Sequence, residues 1–582
     1  MSGLPAGLWL LGLYAAAPVL RTGPNYRFPD RLRDALVLGV AIPFALGFVH
    51  ALYWGACWAA LLLCIAFAAW RSLGERNAAD EKTARPLPYL LIATLLLVAW
   101  PQLMRPLLDG DSLSYHLPNA AAWVHAHSLW TATTHYWWYP PGSELFASAI
   151  YAVGSPFALP WCGFCALTLL GFRIAAWSRD GLGLSPLSAD ALAAATVSAY
   201  PLAIQGGTLQ NDVWLAAFWL ETLWSLRALP PQRFVPSAAV TALIKPQGWI
   251  LAAIALLASR ARPILWVGTF SVLGIWLIHD AALWKTAIAS PAASMGGGFF
   301  GSTILAHGLG AFALLGAVAI RLSPFALIAL IAALFGPLAA MRDRALGWAA
   351  FAALVLFFVL PFGYETSVAQ LANGTSLRFA APAIAAGALL LAPLVRRFGV
   401  IATVLLWIST IYGCWFVLAI FWNDGSTHIA LAVAALGVAI AAVANRMQLR
   451  LITGVAFLAA VVLATHLAAR HPLDYYNDSL SVGGTSPGVY RWIQQAQPYE
   501  IAGWGLRSGV VNVLSPDTLT ADLDDSEPCK RTPFPALLVA VAQSDLPPAV
   551  NAHRLRVART CGGTVYHDAI GVVAQPITLR RL

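Results

Sequence analysis

At 582 residues, 59% of them hydrophobic and only 10% charged, the chain carries apolar runs of membrane-spanning length along most of its course, which excludes a water-soluble globular protein. These runs are Leu/Ala-rich and lack strand-like alternation, so their backbone groups must pair within helices, and a transmembrane β-barrel is excluded. The net charge of +9 is spread over short basic clusters between the apolar runs, the placement of topology signals, and no nucleic-acid partner is expected.

The first apolar run, 4–20, lacks a basic n-region and reads as a retained helix rather than a cleaved signal peptide. Arg21, Arg27, Arg31 and Arg33 flank one side of an apolar hairpin at 34–70, and Arg71, Arg76, Lys82 and Arg85 flank the other, so both basic loops are expected in the cytoplasm. The segment 88–104 then leads outward to a polar loop, 105–143, on the far face, which is periplasmic in a bacterial cell. The loop carries Asp109-Gly110-Asp111, the histidines 116, 125, 127 and 135, and a Tyr-Pro-Pro-Gly turn at 139–142. From Ser112, an N-cap type of residue, Leu113, Leu117, Ala120, Ala121 and Val124 recur at helical spacing. This predicts an amphipathic helix along the membrane surface, with the acids capping its beginning.

Further spans are predicted at 157–177, 186–203, 208–226, 235–257, 264–283, 302–320, 323–340, 345–362, 377–395, 399–422, 428–444 and 451–467, for about sixteen in all. Charge alternation does not close over the middle, because Arg233, Arg260 and Arg262 look cytoplasmic while Arg321 and Arg342-Asp343-Arg344 flank a single run. At least one middle segment is therefore expected to be re-entrant or interfacial. The candidates are 235–257, broken by Lys245-Pro246-Gln247-Gly248, and 302–320, which follows the glycine-rich stretch 295–301. Arg396 and Arg397, then Arg446 and Arg450, read as cytoplasmic, which leaves the C-terminus on the same side as the aspartate loop.

Beyond about residue 470 the composition becomes that of a soluble protein. The expected architecture is thus an all-α polytopic transmembrane bundle, 1–470, followed by a small C-terminal α/β extracytoplasmic domain, 471–582. Strands are predicted at 499–503, 510–514, 535–541 and 569–574, and a helix at 489–497. Cys529 and Cys561 lie in this exported tail and are the candidate disulfide pair, since an oxidising compartment permits one. Cys162 and Cys165 have redox spacing but read as small packing residues of a membrane helix.

Asp109/Asp111, Tyr115, Trp123/Trp130 and Pro140-Pro141, in that order, resemble the first external loop of the GT-C superfamily of integral-membrane glycosyltransferases. The resemblance is to the bacterial branch similar to protein O-mannosyltransferases and lipid A aminoarabinose transferases. Gln210-Asn211-Asp212 resembles a later helix of that family that opens with an acid. Ala242-Leu243-Ile244-Lys245-Pro246 is similar to its Leu-Thr-Lys-Gly/Pro element, and Arg378-Phe379-Ala380-Ala381-Pro382 to its Arg-aromatic-x-x-Pro element. The departures are three apolar segments ahead of the acidic loop and an Asp-Gly-Asp in place of adjacent acids, which leaves open whether Asp109 or Asp111 is the equivalent of the family's catalytic acid.

The resemblance implies a GT-C-like bundle in the bacterial inner (plasma) membrane, which moves a sugar from a polyprenyl-phosphate-linked donor to a lipid, polysaccharide or protein acceptor outside the cytoplasm, with inversion. The residue types suit that reaction. A positioned carboxylate that takes the acceptor's proton contributes about 10²–10⁴-fold in rate, and Asp109 or Asp111 is the candidate base. A fixed cation stabilises the phosphate leaving group as its charge grows, and Lys245 and Arg378 are the candidates. Tyr115, His116 and Asp212 complete the substrate-binding set, while Asp109, Asp111 and His116 are the candidate ligands should a divalent Mg or Mn ion take part. Trp123, Trp130, Trp137 and Trp138 read as an interfacial aromatic belt. One alternative is a transporter or flippase of lipid-linked or small polar substrates, for which the sequence shows no internal repeat. Another is a ligase or polymerase using a pyrophosphate-linked donor, whose site would fall in the late external loop 363–377.

Overall fold

The computed structural model describes residues 3–21, 27–74, 88–131, 139–228, 231–258, 261–284, 308–339, 344–359, 375–421, 426–447, 450–478, 494–495, 500–504, 508–522, 537–540, 559–561, 564–567, 577–578 and 580–581. Up to residue 478 every described element is a helix. The first half holds α1 (Leu4–Ala16), α2 (Phe28–Phe48), α3 (Trp54–Gly74), α4 (Tyr89–Leu103), α5 (Leu117–His125), α6 (Gly142–Val153), α7 (Trp161–Asp180), α8 (Pro186–Val197), α9 (Tyr200–Ala203) and α10 (Asp212–Ala228). The second half holds α11 (Pro231–Ile244), α12 (Pro246–Ala258), α13 (Pro263–Trp284), α14 (Gly308–Leu322), α15 (Pro324–Leu334), α16 (Arg344–Val359), α17 (Ala381–Leu390), α18 (Ala392–Phe398), α19 (Val400–Ile420), α20 (Ser426–Met447), α21 (Arg450–Ala468) and α22 (Pro472–Asp478).

Among the described residues, five helical segments are long and apolar enough to cross a membrane (54–72, 156–180, 263–283, 376–398 and 400–420), and shorter apolar helices surround them. The chain is a multi-pass membrane protein. Its outer surface carries large apolar side chains such as Leu63, Trp70, Ile264, Ile278, Val400 and Ile411, as a lipid-facing surface must. The interior is packed with small residues. In α17, nearly every position from Ala381 to Leu389 is buried, and its Ala/Gly composition lets α10, α15 and α16 approach closely.

One polar feature crosses that apolar interior. Arg173 of α7 donates from Nη2 to Asp30 of α2 and from Nε to Glu221 of α10, both at 2.7 Å, and Arg33 pairs with Asp34 at 2.7 Å beside them. All five are almost fully buried. Isolated charges at this depth would be expensive, so the mutual pairing makes their burial tolerable and ties three helices together.

The segment predicted at 235–257 is two helices. Pro246 has no N–H and disfavours a helical residue before it, so α11 stops at Ile244, Lys245 lies in the gap, and α12 opens with Pro246 at its first position. A Cβ at Gly248 would collide with the Thr241 carbonyl, so glycine allows the second helix to fold tightly against the end of the first. The segment predicted at 302–320 is helical from Gly308 onward.

The tail holds a four-stranded sheet in which β1 (Glu500–Trp504) pairs parallel with β2 (Leu519–Asp522) and β3 (Leu537–Ala540), and β3 pairs antiparallel with β6 (Ile577–Thr578). β4 (Arg559–Cys561), β5 (Thr564–His567) and β7 (Arg580–Arg581) form a second, antiparallel sheet. The strand predicted at 510–514 is instead a helix, α23 (Ser508–Leu514). Its β-branched residues favour extended backbone, but Val510, Val511, Val513 and Leu514 are all buried, and helical winding gathers them against the loop helix α5. The predicted strand at 569–574, most of the predicted helix at 489–497, and the Cys529/Cys561 pairing lie outside the described residues. Cys162 and Cys165 are buried free thiols within α7, as packing residues would be.

Candidate active site

The acidic loop follows α4 directly. Asp109, not Ser112, does the capping: its Oδ1 accepts the Ser112 N–H at 2.9 Å, and the chain turns helical from Gly110. Residues Ser112–His116 then form a π-turn, closed by a bond from the Leu117 N–H to the Ser112 carbonyl, before α5 continues. The predicted amphipathic helix is therefore present, but its faces are occupied rather than laid open. Leu113, His116, Leu117, Ala120, Ala121 and Trp123 are buried against α6 and α23. Gly509 of α23 presses on this helix so closely that a Cβ there would lie 2.6 Å from the Leu113 Cα. His125 Nε2 and the Tyr151 hydroxyl both reach the Pro516 carbonyl, fastening the tail to the loop.

Around the acids the fold gathers residues from distant parts of the sequence. Asp212 is the first residue of α10, whose N-terminus is capped by the Gln205 side chain accepting the Val213 N–H at 3.0 Å. The Asp212 carboxylate is thus left for side-chain partners. Lys245, exposed to water by only 5%, donates to Asp212 Oδ1 at 2.6 Å. Arg378, in the short 3₁₀ segment Thr375–Ala380, reaches across two acids: Nη2 lies 2.5 Å from Asp111 Oδ2, and Nε lies 3.7 Å from Asp212 Oδ2. Phe379 stacks under both cations, 4.4 Å from Lys245 Nζ and 4.8 Å from the Arg378 guanidinium carbon. The result is a continuous run of alternating charge, Asp111, Arg378, Asp212, Lys245, drawn from four stretches of chain.

The two loop acids differ sharply in setting. Burial pushes the Asp109 carboxyl above the ordinary aspartate value, the Asp111 charge adds to this, and hydrogen bonds from Ser112 offset it only in part. Asp109 Oδ2 is buried without a hydrogen-bond partner among the described residues, while Oδ1 also receives Gln210 Nε2 at 3.4 Å. Burial works to raise Asp111 too. Arg378 first, then His116 and Lys245, outweigh it and hold that carboxyl below the usual range. Both acids are half-buried, Asp111 keeping 27% of its side-chain surface exposed while Oδ2 of Asp109 is out of reach of water.

His116 is buried beside them. Its Nδ1 lies 2.5 Å from Glu144 Oε1, and Glu144 Oε2 accepts the Ser143 hydroxyl at 2.9 Å. The Tyr115 ring packs on the imidazole at 4.1 Å between centroids and meets Tyr139 edge-on at 6.2 Å. Of the seven residues singled out from the sequence, Asp111, Arg378, Asp212 and Lys245 are joined directly, Asp109 lies beside Gln210 of the Asp212 segment, and Tyr115 and His116 follow on the same loop helix in a separate contact with Glu144. Sequence reasoning missed Glu144, Ser143 and Phe379. An acid in the first turn of the otherwise apolar α6 was a signal for Glu144, but a first-turn acid is also what a helix dipole favours.

Trp123 is buried rather than placed in an interfacial belt, while Trp130 stays exposed. Trp123 packs edge-on against Trp276, and Trp130 donates from Nε1 to the Phe48 carbonyl at 3.1 Å and lies on His279, so both anchor the loop to α2 and α13. His135, Trp137, Trp138 and nearly all of the 363–377 loop lie outside the described residues. Among the described residues, no group of three or more His, Cys, Asp or Glu side chains is arranged to hold a metal ion. Asp109, Asp111 and His116 each direct an atom to a protein partner: the helix cap, Arg378 and Glu144.

No protein-family model and no curated protein matches the chain. Among solved structures, the crystal structure of ArnT from Cupriavidus metallidurans bound to undecaprenyl phosphate is similar with a TM-score of 0.47 at 14% identity, over 84% of this chain and 97% of that one. The apo-state crystal structure of ArnT from the same organism gives a TM-score of 0.38 at 13% identity, over the same shares of the two chains.

Proposed function

We propose that the chain is a GT-C-type glycosyltransferase of the bacterial inner membrane, with its acid cluster and C-terminal domain (471–582) facing the periplasm. It moves a sugar, with inversion, from a polyprenyl-phosphate-linked donor to a lipid, polysaccharide or protein acceptor. The observation that carries this reading is the Asp111–Arg378–Asp212–Lys245 run. A carboxylate beside two fixed cations suits a reaction in which a hydroxyl loses its proton while a phosphate gains charge.

Asp111 is the base in this reading. Asp109 is committed to capping the loop helix through Oδ1, with Oδ2 buried, whereas Asp111 sits against the cations. In the free protein Arg378 holds Asp111 as an ion pair and suppresses its basicity. A donor phosphate arriving at Arg378 competes for the guanidinium, and as that contact forms Asp111 regains proton affinity. The acceptor oxygen then attacks the anomeric carbon from the face opposite the phosphate, the C–O bond to phosphate breaks with its electron pair leaving on the phosphate, and the acceptor proton passes to Asp111. Lys245, held by Asp212 and Phe379, supplies the second fixed positive charge at low reorganisation cost.

The test is mass spectrometry of polyprenyl-phosphate sugars and envelope glycans in cells carrying the wild type, Asp109→Asn, Asp111→Asn or no protein, at matched membrane levels. A glycan modification lost in the Asp111→Asn and deletion strains, with donor sugar accumulating, supports the reading. Unchanged lipids and glycans in all four strains overturn it and favour a transporter.

A further inference from the structure

The far end of the acid loop meets another buried imidazole and acid, outside the charge run. His279 and Asp280 lie near the end of α13, exposed by only 2% and 0%. His279 Nδ1 is 3.0 Å from Asp280 Oδ1, and its Nε2 is 3.0 Å from the Leu129 carbonyl of the loop. Trp276 stacks on the imidazole at 4.6 Å between centroids, Trp130 covers it at 4.7 Å, and Phe48 meets it edge-on at 5.5 Å. Burial and these three rings keep water from the pair.

Those two contacts set a proton count. A carbonyl oxygen can only accept, so Nε2 carries a hydrogen. In a neutral imidazole the other nitrogen is then a bare lone pair, and an ionised carboxylate facing it at 3.0 Å would set acceptor against acceptor. The contact is a hydrogen bond only when one more proton lies between Nδ1 and Oδ1, whether it belongs to an imidazolium or to a carboxylic acid. In both cases the pair is neutral as a whole, which suits a dry setting where an unbalanced charge is costly. Asp280 Oδ2 agrees with this: it is buried without a hydrogen-bond partner among the described residues, a poor place for a full carboxylate charge. Among the described residues, no charged side chain of the loop, α2 or α13 pairs with either member, and His127, two positions before Leu129, turns its ring to Tyr53.

We propose that His279 and Asp280 are positioning residues that clasp the acid loop to α13 through a shared proton. When hydroxide takes that proton and becomes water, one hydrogen is left for two acceptor contacts. If Nε2 keeps it, Nδ1 and the carboxylate repel; if Nδ1 keeps it, the Nε2 lone pair faces the Leu129 carbonyl. The clasped state thus holds one proton more than the released state of neutral imidazole and solvated carboxylate. Clasping is therefore favoured at low pH and weakens as pH rises, by at most about tenfold per pH unit for one proton. Release would loosen one side of the loop without unfolding it, because the Leu129 N–H still donates to the Gly47 carbonyl at 3.0 Å and Trp130 Nε1 to the Phe48 carbonyl. Asp111 stands on the same loop, so the effect on catalysis rests on the transferase reading above, whereas the clasp itself does not.

The experiment uses full-length protein in lipid nanodiscs and compares amide hydrogen exchange at residues 129–131 with that of α7 from about pH 6 to about pH 10, corrected for intrinsic exchange. In the wild type, protection at 129–131 should fall on the alkaline side by up to about tenfold per pH unit while α7 does not change. Asp280→Asn should keep the protection and lose its pH dependence, because a carboxamide donates to Nδ1 with no shared proton and the Nε2 hydrogen stays on Leu129. His279→Phe, a ring without donors, should be weakly protected at every pH; the wild type and Asp280→Asn carry the test even if it fails to fold. With polyprenyl-phosphate sugars extracted from the deletion strain as donor, wild-type kcat relative to Asp280→Asn should fall in step with protection. Wild-type protection independent of pH overturns the shared proton, and so does an Asp280→Asn variant that loosens, as loss of an ordinary charge contact would make it. A kcat ratio that ignores the change in protection overturns the positioning role. No transfer by the wild type removes the transferase reading, and exchange alone then decides the clasp.

Discussion

The buried pair of Asp212 and Lys245 lends itself to a quantitative test. Asp212 is 3% and Lys245 5% exposed, with 2.6 Å between Oδ1 and Nζ. Asp212→Asn keeps the shape of the site but strands a buried ammonium, and breaking a buried pair from one side costs about 3–5 kcal/mol because the remaining charge is uncompensated. Adding Lys245→Met removes that charge too, and replacing a whole buried pair by neutral groups of similar volume is about neutral. The double variant should therefore recover most of the stability lost by the single one while remaining inactive if, as proposed, Lys245 serves the donor phosphate. The assay is unfolding of purified protein in mixed micelles, followed by tryptophan fluorescence, for the wild type, both single variants and the double. A loss under about 1 kcal/mol in Asp212→Asn, the size of a solvated surface pair, or a double variant as unstable as the single, would refute the reasoning.

Four further outcomes are expected. Because the Asp109 carboxyl is raised by burial, its native form favours the proton; its contribution to stability is present at low pH and is lost as pH rises through its folded value, so Asp109→Asn should gain stability relative to wild type toward alkaline pH, measured as melting temperature against pH. Asp111, lowered by Arg378, runs the other way: its contribution is present above the ordinary aspartate value and fades as pH falls, and Asp111→Asn should flatten the acid side of the same curve. Gly509→Val would place a Cβ against the Leu113 backbone and should unseat α23 from the loop helix, seen as faster amide hydrogen exchange over 112–125 with the transmembrane helices unchanged. Arg173→Met leaves Asp30 and Glu221 buried without their cation and should cost about 3–5 kcal/mol, read as a collapse of folded yield in membranes.

Much of this architecture is legible in the sequence. Apolar run length fixes helical spans because a bilayer leaves a backbone no partner but itself, and Pro246 marks the break at Lys245 through the N–H it lacks. Lys245 stood out because an ionised residue at bilayer depth is expensive to keep without a use, while Asp212 and Arg378 stood out through the resemblance to GT-C elements. Val510–Leu514 was misread because β-branched residues carry the same local preference whether the final contact is a sheet or, as here, the helix that bears the acids. The role of Ser112 was misassigned because Asp109 and Ser112 are both good caps, and the choice is made by which backbone N–H the fold points at which oxygen.

By itself, then, the sequence determined a multi-pass helical bundle, the polar loop between its spans, and the ionisable residues fit for chemistry, since those follow from local hydropathy and local backbone rules. Only the tertiary structure decided that Arg378 lies on Asp111, that Lys245 lies on Asp212, and that Glu144 holds His116 from α6. Each of those pairs joins residues 28 to 267 positions apart (144 − 116 = 28 and 378 − 111 = 267). A charge's partner, and with it the proton affinity of each group, is set by distance through space in a low-dielectric interior rather than by spacing along the chain.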